Sequence, residues 1–299
     1  MLILDFSLAK LNDVSTIVGR YKIFGMDFRQ LESRAKGLRR QTIDMLYLAQ
    51  SGHPGSSLSV MDILVTLFFG GLLKHDPAHP GWEERDLFIL SNGHACPALY
   101  AVLAQRGYFE WQELKRLRQL GARAQGHPHR GSLPGVEIST GSLGQGLSVG
   151  IGLALAGQRK NKGKRRVYVM MSDGEQEEGS TWEAVMYAPK EKLDNLIAIV
   201  DKNGMQIDGF TKHVMPHLDP LAEKYRAFGW LVQEIDGHNM REISLAVCQA
   251  QKAKKPTVII AHTIRGKGVS FMENSEHWHA GALTPEQYKV AMEELKAKA

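Results

Sequence analysis

The sequence predicts an α/β fold, a doubly wound and mostly parallel sheet with helices on both faces. Short continuous apolar runs such as NLIAIV (195–200) have the pattern of strands buried on both sides. Such runs alternate with segments of helical period, and Gly- and Pro-rich stretches mark the junctions. In this architecture ligands sit beyond the carboxyl ends of the strands.

Residues 27–50 carry Leu31, Ala35, Leu38, Ile43, Leu46 and Ala49 at near-helical spacing with charges between them, which predicts a helix. SGHPG (51–55) breaks it, and a second helix is predicted from about Leu58 to Leu73. A short strand at 86–90 ends in SNGH, followed by a helix from about Ala95 to Arg106. After a Gly-, His- and Pro-rich stretch (121–135), VEIST leads into GSLGQGLSVGIGLALAG, a strand or loop feeding a helix of small residues. The strand RVYVMM (166–171) ends at SDG, and a helix then leads to NLIAIV. Helices near 219–228 and 239–253 alternate with WLVQEI and TVIIAH, and a last helix starts at Pro285. The strand ends therefore carry His94, Asp173, Asn203 and His262.

The chain has 299 residues, 43% hydrophobic and 23% charged, which argues against disorder and a coiled coil. We read residues 26–299 as one domain and residues 1–25 as an extension with little structure, with Met26 an alternative start to Met1. Cys96 and Cys248 are far apart and in no Cys-x-x-Cys pair, so neither a disulfide framework nor a thiolate zinc site is expected, and a reducing cytoplasm is. The formal charge is +5, and the densest basic run, KNKGKRR (160–166), lies between a helix and a strand, as a solvated loop does. No nucleic-acid partner is expected. The most apolar stretch, 63–73, is shorter than the roughly 20 residues that span a bilayer, so no membrane association is expected either.

Asp173 ends one buried strand, and the next ends in Asp201-Lys202-Asn203-Gly204. Neighbouring strand tips bring Asp173 and Asn203 towards one point, where a carboxylate, an amide oxygen and a backbone carbonyl suit Mg²⁺ carrying phosphate. The competing reading has Asp173 capping a helix and Asn203 making a turn. Glu175 and Glu177 read as surface charges at a helix N-terminus. Gly144-x-Gly146-x-x-x-Gly150 faintly matches a dinucleotide fingerprint, but no acid follows about 20 positions on, so tight helix packing is the better reading. No Walker loop is present. His127/His129 and His277/His279 form His-x-His pairs beside Gly or Pro, and His129 and His277 read as loop histidines rather than metal ligands.

At SDGEQEEG (172–179) and DKNGMQIDG (201–209) the chain resembles the transketolase family of thiamine diphosphate enzymes, with Ser172 replacing the first glycine of the family's Gly-Asp-Gly signature. SGHPGSSLSVMDIL (51–64), RDLFILSNGHACPALYAVL (85–103), GHPHRGSLPGVEISTGSLGQGLSVGIGLALA (126–156) and WHAGAL (278–283) resemble further transketolase blocks in family order, covering about 30–290. The resemblance implies that Asp173, Asn203 and the Met205 carbonyl hold Mg²⁺ on the cofactor diphosphate. It places His94, His279 and Gly174 on the diphosphate, Gly141 and Leu143 at the aminopyrimidine, and Ile207 on the thiazolium. His53, His127 and His279 would face the sugar hydroxyls, where imidazoles donate and move protons near neutral pH. Glu178 and Glu183 would link two active sites across a dimer.

The implied reaction is cleavage of a ketose at C2–C3 and transfer of a two-carbon ketol unit to an aldose. The blocks cover only the diphosphate-binding part of transketolases. The resemblance thus implies a second chain carrying the pyrimidine-binding and C-terminal domains, an α₂β₂ stoichiometry, and no turnover by this chain alone. Competing readings are another thiamine-dependent transferase, of the dihydroxyacetone synthase or 1-deoxyxylulose 5-phosphate synthase type, and a catalytically silent regulatory subunit.

Overall fold

The computed structural model describes residues 26–161 and 165–296. The expected extension at residues 1–25 lies outside the described residues.

Asp27 caps α1 (Phe28–Ala49), its carboxylate accepting from the Arg29 and Gln30 N–H groups. The helix predicted for residues 58–73 is instead two, α2 (Pro54–Ser59) and α3 (Met61–Phe69). Pro54 starts a helix rather than only ending one, because the first helical turn needs no N–H and proline presets its φ. After β1 (Leu87–Leu90) come α4 (Cys96–Gln105) and α5 (Gln145–Asn161), then β2 (Val167–Ser172), α6 (Gly179–Lys190) and β3 (Leu196–Lys202). A small hairpin, β4 (Met205–Gln206) with β5 (Gly209–Phe210), has no counterpart in the sequence reading; strands of two residues carry no period to read. The chain continues through α7 (Thr211–Val214), α8 (Leu221–Ala227), β6 (Leu231–Asp236), α9 (Met240–Ala250), β7 (Thr257–His262) and α10 (Pro285–Glu294).

The main sheet has the order β1-β2-β3-β7-β6 with every pair parallel. Strand residues alternate between two cores, as a pleat of period two requires. Phe88, Tyr168, Met170, Ile197 and Ile259 pack with α1 to α4 and α9, whereas Ile89, Val169, Met171, Ala198 and Ile260 pack with α5, α6 and α8. Helices thus cover both faces. Full burial of each Val, Ile, Met or Phe side chain among them contributes about 1.5–3 kcal/mol. Gly150 matters here because a Cβ would stand 2.6 Å from Val169, so the small-residue helix α5 lies close on β2, in keeping with a packing role for its glycines. Among the described residues no helix is long and apolar enough to cross a membrane.

A buried ionic cluster ties the layers together behind the strand ends. Arg39 of α1 makes a two-pronged pair with Asp62 of α3 at 2.9 and 2.7 Å, and His238 Nδ1 lies 2.7 Å from the same carboxylate. His238 Nε2 accepts from the Ile264 N–H, so the proton sits on Nδ1 and is donated to Asp62. The segment after β7 is thereby fixed to two helices.

Candidate active site

The register pairs Ser172 with Asp201, so the segments following β2 and β3 leave the sheet side by side. Asp173 is fully buried there. Its carboxylate accepts from the Gly174 N–H at 3.0 Å and from the Gly204 N–H at 2.6 Å, which joins the two strand tips directly. Asp201, also fully buried, accepts from Ser59 Oγ at 2.7 Å, from Thr263 Oγ1 and from the Asn203 amide nitrogen at 3.0 Å. The Asn203 amide is thus oriented with its nitrogen on Asp201 and its oxygen on the Met205 N–H, 3.1 Å away.

Burial and the neighbouring Asp201 carboxylate push Asp173 up to about 7 from an ordinary 3.8. The nearby Lys202 is engaged with Asp219 at 2.9 Å. Asp173 and Asp201 are two buried carboxylates without an ion pair among the described residues, and a bound cation would offset their charge. No group of three His, Cys, Asp or Glu suited to a metal exists among the described residues. A cation here would therefore draw on amide and carbonyl oxygen besides Asp173, the hard donor set that Mg²⁺ takes. The residues present fit such an ion.

Opposite these tips stands a group of imidazoles around His53, whose ring centroid lies 5.4 Å from His94, 5.7 Å from His127 and 5.3 Å from His279. Burial lowers His53 and His279 to about 4 and holds His94 and His127 below the ordinary range; mutual repulsion among the rings and with Arg118 and Arg265 adds to it. All four rings are therefore neutral at pH 7, each with one donor and one acceptor nitrogen. Arg265 Nη2 donates to His279 Nδ1, which fixes the proton of that ring on Nε2. His94 Nε2 is 3.0 Å from Ser56 Oγ, and His53 Nδ1 is buried without a partner.

The cavity between these two walls has a volume of about 300 Å³, enough for the diphosphate end of a cofactor. His53, His94, His127, His279, Gly141, Leu143, Gly174, Glu178, Asn203, Met205 and Ile207 all line it. Gly141 has φ +135°, and a Cβ there would stand 2.8 Å from the His127 ring, so only glycine lets the loop come this close. Asp173 is bonded to the lining Gly174. Glu183 stands apart, exposed on α6 and outside the cavity lining. Of the His-x-His pairs one member each lines the cavity, while His129 and His277 are exposed. His262, at the end of β7, is half exposed beside Glu234 and takes no part.

The expectation of surface charges at positions 175 and 177 fails: Glu175 is fully buried, and Glu177 is half-buried in the cavity lining. Two further residues escape a reading of the sequence. Asp201 orients Asn203, and Arg265, 1% exposed, reaches both the Gln206 carbonyl at 3.1 Å and His279. Arg265 follows the end of an apolar strand, the position where ligands gather in this architecture, and that is the one signal the sequence holds for it.

Adjacent strand tips with oxygen donors, a loop held close by glycine, and neutral imidazoles thus line one cavity at the carboxyl ends of an α/β sheet, the place where ligands bind in this architecture. Comparison with known proteins narrows the class. The family model for the transketolase thiamine diphosphate-binding domain matches residues 31–298. The chain belongs to the transketolase family. A 6-deoxy-6-sulfo-D-fructose transketolase subunit of Clostridium sp. (strain MSTE9) is 46% identical over 89% of this chain and 96% of its own length. An apulose-4-phosphate transketolase subunit of Phocaeicola vulgatus is 39% identical over 91% and 96%. The transketolase of Homo sapiens is 38% identical over 89% of this chain but 42% of its own length. The transketolase structure from Campylobacter jejuni superposes with a TM-score of 0.84 at 36% identity, covering 90% of this chain and 43% of that one.

Proposed function

We propose that this chain is the diphosphate-binding subunit of a two-chain transketolase that moves a two-carbon ketol unit from a ketose to an aldose. The observation that carries the reading is the buried Asp173, tied to the β3 tip beneath a cavity whose lining joins Gly174 and Asn203 of the two strand tips to four neutral histidines. The reading also draws on relatives of matching length that are named as subunits, beside full-length transketolases of which this chain spans less than half. By analogy with those two subunits, the substrates are sugars carrying a terminal anion. The partner supplies the pyrimidine-binding and C-terminal domains, in an α₂β₂ assembly in which Glu178 and Glu183 connect paired sites. Two thiols outside any disulfide, Cys96 and Cys248, agree with the cytoplasm.

Asp173, Asn203 and the Met205 carbonyl would hold Mg²⁺, and His94, His279 and Gly174 would meet the diphosphate. Thiamine diphosphate supplies a carbon nucleophile and electron sink when bound. Gly141 and Leu143 would contact its aminopyrimidine and Ile207 its thiazolium. The protein's own work is orientation and proton exchange. His279, protonated on Nε2 because Nδ1 is occupied by Arg265, donates a hydrogen bond to a sugar oxygen. His53 and His127, both neutral, accept a hydroxyl proton and return it, and their depressed basicity keeps them in the accepting form at pH 7.

The test is a ketol-transfer assay with thiamine diphosphate, Mg²⁺, a ketose phosphate and ribose 5-phosphate. The purified chain should show no turnover, and a second chain carrying the pyrimidine-binding domain should restore it. Asp173→Ala should abolish the restored activity, which a silent subunit would tolerate. Turnover by this chain alone would refute the two-chain reading.

A further inference from the structure

Glu175 is a fully buried carboxylate with no role in the steps above. It follows Asp173 by two positions, in the turn after β2, and reaches across to the glycine loop that precedes α5. Its Oε1 accepts from the Gly144 N–H at 2.8 Å and from the Ser91 hydroxyl, and its Oε2 from the Ser172 N–H at 3.3 Å. Ser91 Oγ in turn accepts from the Gly146 N–H at 3.1 Å. These are N–H groups at the start of α5, which have no partner within the helix. A negative group is favoured there by the helix dipole. The loop itself is held at short range. A Cβ on Gly146 would stand 2.2 Å from Ser91 Oγ, and Gly144, at φ +81°, leaves no space for one beside Glu178. Ser180 Oγ also donates to the Gly144 carbonyl at 3.1 Å.

We infer that Glu175 is a positioning residue that locks the 141–146 loop to the tip of β2, so that one buried carboxylate sets the spacing between the metal end and the aminopyrimidine end of the cofactor site. The inference rests on the function proposed above, which places Asp173 on the metal and Gly141 and Leu143 on the ring. Two consequences follow for the chemistry. The N-terminus of α5 is filled by the protein's own carboxyl group and does not serve as the diphosphate anchor, despite the Gly-x-Gly spacing at its start. The loop's register depends on three donors converging on one side chain, so losing the carboxylate frees Gly144 and, through Ser91, loosens Gly146.

Hydrogen exchange on the full chain without cofactor, followed by mass spectrometry, tests the lock, and calorimetric titration of the chain reconstituted with its pyrimidine-binding partner, using thiamine diphosphate and Mg²⁺, tests its consequence. In Glu175→Ala, amides of residues 140–148 should exchange at least about tenfold faster, the loss expected when buried donors lose their acceptor, while β3 and β7 exchange as in the wild type. Ser91→Ala, which leaves the carboxylate in place, should give a smaller change centred on Gly146 and keeps the test open should Glu175→Ala fold poorly. Cofactor affinity should fall about tenfold or more in Glu175→Ala and partly recover in Glu175→Gln, which retains one acceptor oxygen. Unchanged exchange over 140–148, or an equal rise in β3 and β7, overturns the lock. A freed loop with unaltered cofactor affinity overturns the positioning role. Failure of the wild type to bind cofactor counts against the function proposed above and removes the positioning role with it, whereas the exchange data still decide whether the lock exists.

Discussion

Asp173→Asn should make the chain more stable without cofactor and insensitive to the cofactor. The carboxylate rises from an ordinary 3.8 to about 7 in the folded chain, chiefly through burial. A folded value above the unfolded one means that the folded state holds the proton more tightly, so stability declines as pH climbs from about 4 to about 7. Each pKa unit corresponds to about 1.4 kcal/mol, so at pH 8 the ionised group costs roughly 4 kcal/mol. Asparagine removes that cost but offers one acceptor oxygen where the carboxylate serves both Gly174 and Gly204, and an unmet buried N–H returns about 1–3 kcal/mol. The net gain is about 1–3 kcal/mol, which at roughly 2–4 °C per kcal/mol raises the melting temperature by several degrees. Scanning calorimetry at pH 8 measures it. With Mg²⁺ and thiamine diphosphate at about a hundred times the dissociation constant, the wild type should gain about 2.7 kcal/mol and the variant almost nothing. A variant that melts below the wild type without cofactor, or keeps the full cofactor-induced rise, would show that Asp173 is not a carboxylate waiting for a cation.

The neutral histidines carry the opposite pH signature. With His53 depressed to about 4 by burial, the unfolded chain takes up a proton between about 6.5 and 4 that the folded chain refuses, so stability falls as pH drops through that window. His53→Gln should flatten this fall in urea titrations at successive pH values, and an identical profile would contradict the assignment. Burial is the main cause of the lowered His279, and replacing Arg265 with Met removes the cation that adds to it and the donor on its Nδ1, so the ring should titrate at higher pH by imidazole NMR. An unmoved titration would deny the Arg265–His279 contact. Asp62→Ala leaves Arg39 buried without its partner and should cost about 3–5 kcal/mol in denaturant unfolding. A loss under about 1 kcal/mol would mean that the cluster is more hydrated than its burial indicates.

The fold is legible in the sequence because the strands are continuous apolar runs, and a run such as NLIAIV between helical segments has few other readings. The strand tips are legible for the same reason: Asp173 and Asn203 are polar residues placed where apolar runs stop. What stays hidden depends on distance in sequence. Glu175 sits among Glu177 and Glu178, in a stretch that reads as a solvated helix start, and only the arrival of Ser91 and Gly144 from other segments buries it. Arg265 is a single basic residue after a strand, and its contact with His279 spans a loop that carries no periodic signal. The start of α2 is hidden because Pro54 reads as a breaker, whereas its position at the first helical turn makes it a start. Glu183 remains exposed in the single chain, so the role implied for it depends on an assembly rather than on this fold.

The most direct measurement is the location of a divalent cation in crystals of the chain grown with thiamine diphosphate and Mn²⁺, read from anomalous scattering. The expected result is one strong peak bound by the Asp173 carboxylate, the Asn203 side-chain oxygen and the Met205 carbonyl, shared with the cofactor's diphosphate. A cofactor seated in the cavity with its metal held elsewhere, or a diphosphate bound at the start of α5, would contradict that coordination.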